Sequence, residues 1–261
     1  MKSRQFCFTV DDNVRFLKEL TEGGYESLFH HPYLAMLRRL HQTLGLKVQL
    51  NLFYQMQDFD LSRMTDRYRS EWEEHSHWLK LSFHSRLENV DPYRESGYEE
   101  VYADCVAVHR EICRFASPAA LAKTTTLHYC LATSEGLRAL SDCGVKGLLG
   151  LYGSSELPRV SYQTAESDCR RIREGETVWN EGIAYAAIDL ILNLYPQEEL
   201  LPRLEPFLDR PFVKVMIHEQ YFYPDYRRYQ ADFAQKLEQI FSELAARGFE
   251  SVFFEETLTK A

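Results

Sequence analysis

Leu40-His41-Gln42-Thr43-Leu44-Gly45, followed at once by the apolar run 46–53, is the passage that decides the fold. Leu34, Leu37, Leu40 and Leu44 fall on one face of a helix. Gly45 suits the left-handed residue just past a helix C-terminus. A strand that starts directly after a capped helix is the helix-to-strand step of a wound or barrel fold. The step recurs at Leu140-Ser141-Asp142-Cys143-Gly144 before the run 145–152, and at Leu244-Ala245-Ala246-Arg247-Gly248 before 249–254. Three such steps predict an α/β fold.

Outward from there, the pattern predicts strands over 5–10, 48–54, 79–83, 121–127, 146–151, 188–194, 212–217 and 251–254. Several are apolar with little alternation, as strands buried on both faces should be. Phe233, Leu237, Ile240, Phe241 and Leu244 mark the helical face that precedes the last strand. The segment Thr177-Val178-Trp179-Asn180-Glu181-Gly182-Ile183-Ala184-Tyr185 reads as a small hairpin inserted beside the main sheet. With 261 residues and no linker or low-complexity tract, residues 1–261 read as one (β/α)-barrel domain. A chain of this length buries roughly 70–75% of its unfolded surface and needs no staples.

Thirty-nine acidic against thirty basic residues give a net charge of -9, which argues against nucleic acid and acidic membranes as partners. Arg63, Arg67 and Arg69 are interrupted by Asp66, Glu71, Glu73 and Glu74 and read as a solvated helix face. The start, Met1-Lys2-Ser3-Arg4-Gln5, has no long apolar stretch behind it, and no window approaches ~20 apolar residues. A cytoplasmic setting follows as an expectation, with the six scattered cysteines as reduced, mostly buried thiols. Oligomeric state is left open.

A parallel barrel presents its functional groups at the C-terminal ends of its strands. Those ends read Thr9-Val10-Asp11-Asp12-Asn13, Phe83-His84-Ser85-Arg86-Leu87-Glu88, Leu127-His128-Tyr129 and Ile217-His218-Glu219. Adjacent Asp11 and Asp12 repel one another unless a positive group sits nearby. On an extended chain they point to opposite sides, so one could serve a metal and the other act as a base. The competing reading makes one of them the cap of a helix starting near Asn13. His84 and Glu88 share a face if a helical turn follows their strand, and imidazole and carboxylate both ligate divalent ions. The competing reading is a surface pair. His218 and His128 stand at strand exits, as site groups or as satisfied core histidines. Glu181, Asp189 and Glu219 keep open a third chemistry, a carboxylate pair acting on a glycosidic bond.

These pieces, in this order, resemble the polysaccharide deacetylase family of carbohydrate esterases, a distorted (β/α) barrel of about seven parallel strands. Thr9-Val10-Asp11-Asp12-Asn13 is similar to the family's Thr-x-Asp-Asp-Gly, with Asn13 for Gly. The resemblance implies Asp11 as general base and Asp12 as metal ligand. His84-Ser85-Arg86-Leu87-Glu88 is similar to His-Ser/Thr-x-x-His, which implies His84 as a ligand and puts Glu88 in the second histidine's place. Ile217-His218 matches the last motif, whose histidine is the general acid. The family's Arg-Pro-aromatic motif is not recognisable; His128-Tyr129 occupies its place, and Leu151-Tyr152-Gly153-Ser154 stands where an acidic-aromatic motif belongs. The resemblance therefore implies a divalent metal (Zn, Mn or Fe) held by Asp12, His84 and Glu88, with His128, Tyr129 and Glu219 contacting substrate. Glu88 in the ligand set would favour Mn²⁺ or Fe²⁺ over Zn²⁺. The implied activity is removal of an acyl group from an N- or O-acylated sugar or related small molecule. The alternative is a barrel that has lost the reaction and binds a sugar or a protein partner; a bridge from Arg86 to Asp12 and Glu88 would mark it. Tyr221-Phe222-Tyr223-Pro224-Asp225-Tyr226 reads as the aromatic wall of a substrate groove or, alternatively, as packing at a subunit contact.

Overall fold

The first strand is buried on both faces, and the two faces look onto different neighbours. Phe6 and Phe8 stack against Phe241, at ring separations of 5.4 and 4.7 Å. Between them Cys7 joins a cluster of small and aromatic residues, Leu149, Ala184, Ala186 and Phe254. Side chains alternate along a strand, so Cys7, Thr9 and Asp11 share the inner face.

The computed structural model describes residues 4–88, 93–153 and 161–258; Met1, Lys2, Ser3 and Ser154 of the sequence motifs lie outside them. In chain order come β1 (Arg4–Asn13), α1 (Arg15–Glu22), α2 (Pro32–Leu44), β2 (Val48–Met56), β3 (Phe59–Asp60), α3 (Arg69–Glu74), β4 (Leu79–Leu87), α4 (Tyr98–Phe115), β5 (Thr124–Thr125) and α5 (Ser134–Asp142). Then follow β6 (Gly147–Gly150), α6 (Glu166–Arg173), β7 (Val178–Asn180), β8 (Ile183–Ala187), β9 (Leu190–Ile191), α7 (Gln197–Leu204), β10 (Phe212–His218), α8 (Phe233–Ala246), β11 (Phe249–Ser251) and α9 (Phe254–Thr257). One sheet runs β3-β2-β1-β10-β9, with β11 also on β1 and β4 on β2; a second runs β5-β6-β8-β7. The pairings are parallel except β2–β3 and β7–β8. An isolated parallel bridge between Leu81 and Leu121 joins the two sheets' edges. No helix among the described residues is long and apolar enough to cross a membrane.

The three glycines that follow helices all have positive φ: +67° at Gly45, +89° at Gly144 and +77° at Gly248. Four sequence expectations need correction. The segment expected as an inserted hairpin does turn through Glu181 and Gly182, both at positive φ. Its second arm is no appendage, however: β8 pairs in parallel with β6 from Gly147–Ala184 to Gly150–Ala187 and is buried throughout. Its alanines carry little strand signal, but small side chains fit the crowded interior. The strand expected at 121–127 shrinks to Thr124–Thr125, and that at 188–194 to Leu190–Ile191 before a 3₁₀ turn. At the C-terminal end the strand stops at Ser251, and Phe254 opens α9.

At the start of β10 lies a buried ion cluster. Lys214 Nζ is 2.9 Å from Asp189 Oδ2, and both side chains are 1% exposed. Arg210 adds a second cation at 2.6 Å, and the Lys214 backbone N–H donates to the same carboxylate.

Candidate metal centre and flanking acid–base pair

Two strand irregularities build the site. Val10 faces Leu50 on β2, yet Asn13 faces Leu52, so β1 carries one extra residue. Asp12 takes φ +62° there. Such a bulge re-aims side chains, and Asp11 and Asp12, expected on opposite sides, line one pocket. β4 does the same: Leu52 faces Phe83 and Phe53 faces Ser85, which leaves His84 as the unpaired residue. His128 comes from the 3₁₀ turn after β5, where Tyr129 and Cys130 both have positive φ. Left-handed non-glycine residues store strain, and such strain gathers at functional sites.

Asp12, His84 and His128 converge. Asp12 Oδ1 lies 3.0 Å from His84 Nε2 and 3.3 Å from His128 Nδ1. The two imidazole nitrogens are 3.2 Å apart. Ligands about 2.1 Å from one cation stand roughly 3.0 to 3.4 Å from each other in octahedral or tetrahedral geometry, which this triangle meets. These three are the cluster of potential metal ligands found among the described residues. The Thr126 carbonyl accepts the Nδ1 hydrogen of His84, which leaves Nε2 to face Asp12, as a donor to the carboxylate or, with a cation between them, as a ligand. An outer-shell carbonyl of this kind fixes the tautomer of a ligating histidine. Phe53 packs edge-on against both imidazoles, at 5.2 and 4.9 Å.

The charges answer one another. Burial alone would raise the Asp12 pKa, but hydrogen bonds from His128 and His84 hold it well below the usual carboxylate range. Burial would lower that of His84, but Asp11 and Asp12 outweigh it and raise it. His128 is lowered by burial despite its contact with Asp12, and its Nε2 is buried without a partner. Gln220 donates to the second oxygen of Asp12 at 2.7 Å.

Asp11 and His218 face each other across the β1–β10 ladder and line the same 630 Å³ pocket. Asp11 is 2% exposed, and burial raises its pKa. Asn51 donates to its Oδ1 at 2.6 Å, Gln49 donates to Asn51 at 2.8 Å, and Gln49 exchanges hydrogen bonds with Thr124. The carboxylate is thus braced through β2 to β5. The Oδ1 of Asn193 accepts the Nδ1 hydrogen of His218 at 2.8 Å, which leaves Nε2 for the pocket.

Two residues expected in the site stand elsewhere. β4 stays extended to Leu87, so no helical turn brings Glu88 under His84. The cluster of potential ligands does not include Glu88, and the third corner of the triangle is His128. Glu88 lies on the pocket wall, half-buried. Glu219 is 1% exposed and turns away from the pocket, accepting from the backbone N–H groups of Val14, Arg15 and Phe16 at 2.8, 3.2 and 2.8 Å and from the Tyr223 hydroxyl. It caps α1 from the 3₁₀ turn that follows β10, the task considered for Asp11 or Asp12. Tyr129 is 44% exposed at the pocket mouth, and Tyr221 and Tyr226 of the aromatic segment line it too. Arg86 pairs with Asp104 at 3.1 Å. Asp189 is engaged by Lys214 and Arg210, and Glu181 lines a separate small pocket. The carboxylate trio considered for glycosidic chemistry is dispersed.

Burial pushes Glu219 up to about 7, against the backbone donors that lower it. As pH rises through 4.5 the unfolded chain ionises first, while the folded chain keeps its proton until about 7. Stability therefore falls across that window, by on the order of 3 kcal/mol. Urea unfolding at pH 5 and 7.5 should show this loss in the wild type and a much smaller one in Glu219→Gln. Equal losses in both would mean that Glu219 is ionised throughout.

No protein-family profile and no curated protein matches the chain. Solved structures do. A peptidoglycan N-acetylglucosamine deacetylase superposes with a TM-score of 0.51 at 10% identity, over 98% of this chain and 89% of that one. The chain has a polysaccharide-deacetylase fold. The 4-alpha-glucanotransferase of Thermococcus litoralis superposes at TM-score 0.62 and 13% identity; it covers all of this chain, which spans 41% of that enzyme. A family 4 acetyl xylan esterase from Clostridium thermocellum, solved with a cobalt ion, reaches 0.49 at 11% identity over 97% of this chain and 89% of its own. On this deacetylase-type barrel the sequence reading missed His128 as a third corner, along with Asn51, Gln49, Asn193 and Gln220. None carries a local motif, and only strand register brings them in.

Proposed function

We propose that this protein is a metal-dependent hydrolase that removes an acyl group from an N- or O-acylated sugar or related small molecule. The observation that carries the reading is the Asp12–His84–His128 triangle with Asp11 and His218 beside it on neighbouring strands. Two histidines and one carboxylate suit Zn²⁺, Fe²⁺ or Mn²⁺, and without Glu88 among the corners the added bias against zinc disappears. A cation bound there would polarise the acyl carbonyl and acidify the attacking water.

The chain's own residues supply the rest. Asp11, held by Asn51 and made more basic by burial, takes the water's proton as oxygen bonds to the acyl carbon. His218 gives a proton from Nε2 to the departing nitrogen or oxygen as the carbon–heteroatom bond breaks. Asn193 fixes that ring's orientation. Tyr129, Tyr221 and Tyr226 offer faces to a sugar ring at the mouth.

Acetate release from N-acetylglucosamine derivatives, with Zn²⁺, Mn²⁺ or Fe²⁺ supplied, tests the reading. Asp11→Asn should lower the rate about 10² to 10⁴-fold while leaving the metal content unchanged. Full activity in that variant would remove Asp11 from the reaction.

A further inference from the structure

Asp11 and Asp12 make the pocket floor acidic and Glu88 stands on its wall, but its mouth holds Arg227 and Arg228. Both arginines are exposed. Several other arginines pair with carboxylates, Arg15 with Asp225, Arg86 with Asp104, Arg203 with Glu199 and Arg210 with Asp189, while others, such as Arg4, Arg69 and Arg173, donate to backbone carbonyls. Among the described residues no ion pair within 4.0 Å involves Arg227 or Arg228; Arg227 donates a hydrogen bond to the Tyr226 hydroxyl. Two adjacent guanidinium groups repel one another, and that repulsion is relieved when an anion sits between them. Guanidinium forks also match the oxygens of phosphate and carboxylate. In a protein of net charge -9, a cationic pair placed on the rim of its candidate active pocket selects by charge.

Resting on the deacylase reading, we propose that the substrate carries an anionic group, a phosphate or a carboxylate, remote from the acyl group it loses, and that Arg227 and Arg228 hold that group at the pocket mouth. The distribution of charge keeps the two ends apart: the anion stays with the arginines, because the floor repels it, and the neutral acyl end reaches Asp11 and His218. A pocket of 630 Å³ falls within the rough 300–1,000 Å³ range of small-ligand sites and has room for a sugar ring with one such substituent.

The test compares N-acetylglucosamine, N-acetylglucosamine 1-phosphate and N-acetylmuramic acid, by calorimetric binding and by acetate release, on the wild type and on Arg227→Gln/Arg228→Gln. These exposed positions tolerate glutamine without affecting the core. The expected result is that at least one anionic sugar binds about tenfold or more tightly than the neutral one. That advantage should vanish in the double variant and shrink between 0.05 and 0.5 M salt. Preference for the phosphate or for the carboxylate identifies which anion the pair serves. Equal binding of all three sugars, or an advantage that survives the double substitution, overturns the proposal. Acetate released from the neutral sugar as fast as from the anionic ones also overturns it and leaves the deacylase reading standing. Anion-selective binding with no acetate released from any of the three does the reverse.

Discussion

Alanine at Asp12, at His84 or at His128 should each strip a transition metal from the purified protein, and alanine at Glu88 should not. The three corner atoms lie 3.0 to 3.3 Å apart, so removing any one leaves two ligands. Outer-shell partners alone are worth about 10–100-fold in metal affinity, so the loss of a corner should exceed roughly 100-fold. Elemental analysis after dialysis, with calorimetric titration of Zn²⁺ and Mn²⁺, reads the result. Retention of metal in His128→Ala combined with loss in Glu88→Ala would restore the ligand set that the sequence motif implied. Circular dichroism guards against unfolding, since His84 and His128 are buried against Phe53.

The largest effect on stability should come from the opposite end of the strands. Asp189 neutralises Lys214, both 1% exposed, and also meets Arg210. Asp189→Ala leaves a lysine ammonium buried with no counter-charge, which costs about 3–5 kcal/mol. For a chain of this size that is a fall in Tm of roughly 6–20 °C. Exchanging the pair for apolar residues, as in Asp189→Leu/Lys214→Met, should recover most of the loss, because desolvation offsets much of what a buried pair gains. A double variant no more stable than Asp189→Ala would show that the hydrogen bond from the Lys214 backbone N–H to Asp189, and not the charge, holds this corner.

Much of the architecture was legible because helix ends and strand runs are local signals. The glycine after each of three helices requires a backbone that other residues resist, and the apolar runs after them could be read without partners. The strands that failed to register were those with weak local chemistry. β8 is built from alanines whose use is to be small where others crowd, and β5 is two threonines long. The site divides the same way. Asp11, Asp12, His84 and His218 stand in recognisable strand-end motifs, and the structure gathers all four into one pocket. Glu88 came into the ligand set through a spacing of four and through the second histidine's place in the family motif; a spacing of four means proximity on a helix and distance on a strand. His128 was noticed as a strand-exit histidine, but its closeness to Asp12 depends on how β5 lies against β4, which no local pattern encodes. Glu219 was placed next to substrate by its neighbour His218. The strand ends at His218, and the 3₁₀ turn that opens with Glu219 carries its side chain to the start of α1.

The extra residues in β1 and β4 have a consequence for how this barrel can change over time. Each is an insertion that breaks an otherwise continuous ladder, and the left-handed backbone at Asp12 costs about 1–3 kcal/mol. Deleting one residue from either strand would restore unbroken pairing while rotating a corner of the triangle out of reach. Selection for robustness alone would therefore favour shorter strands, and drift has a downhill route to a sturdier barrel without the Asp12–His84–His128 triangle.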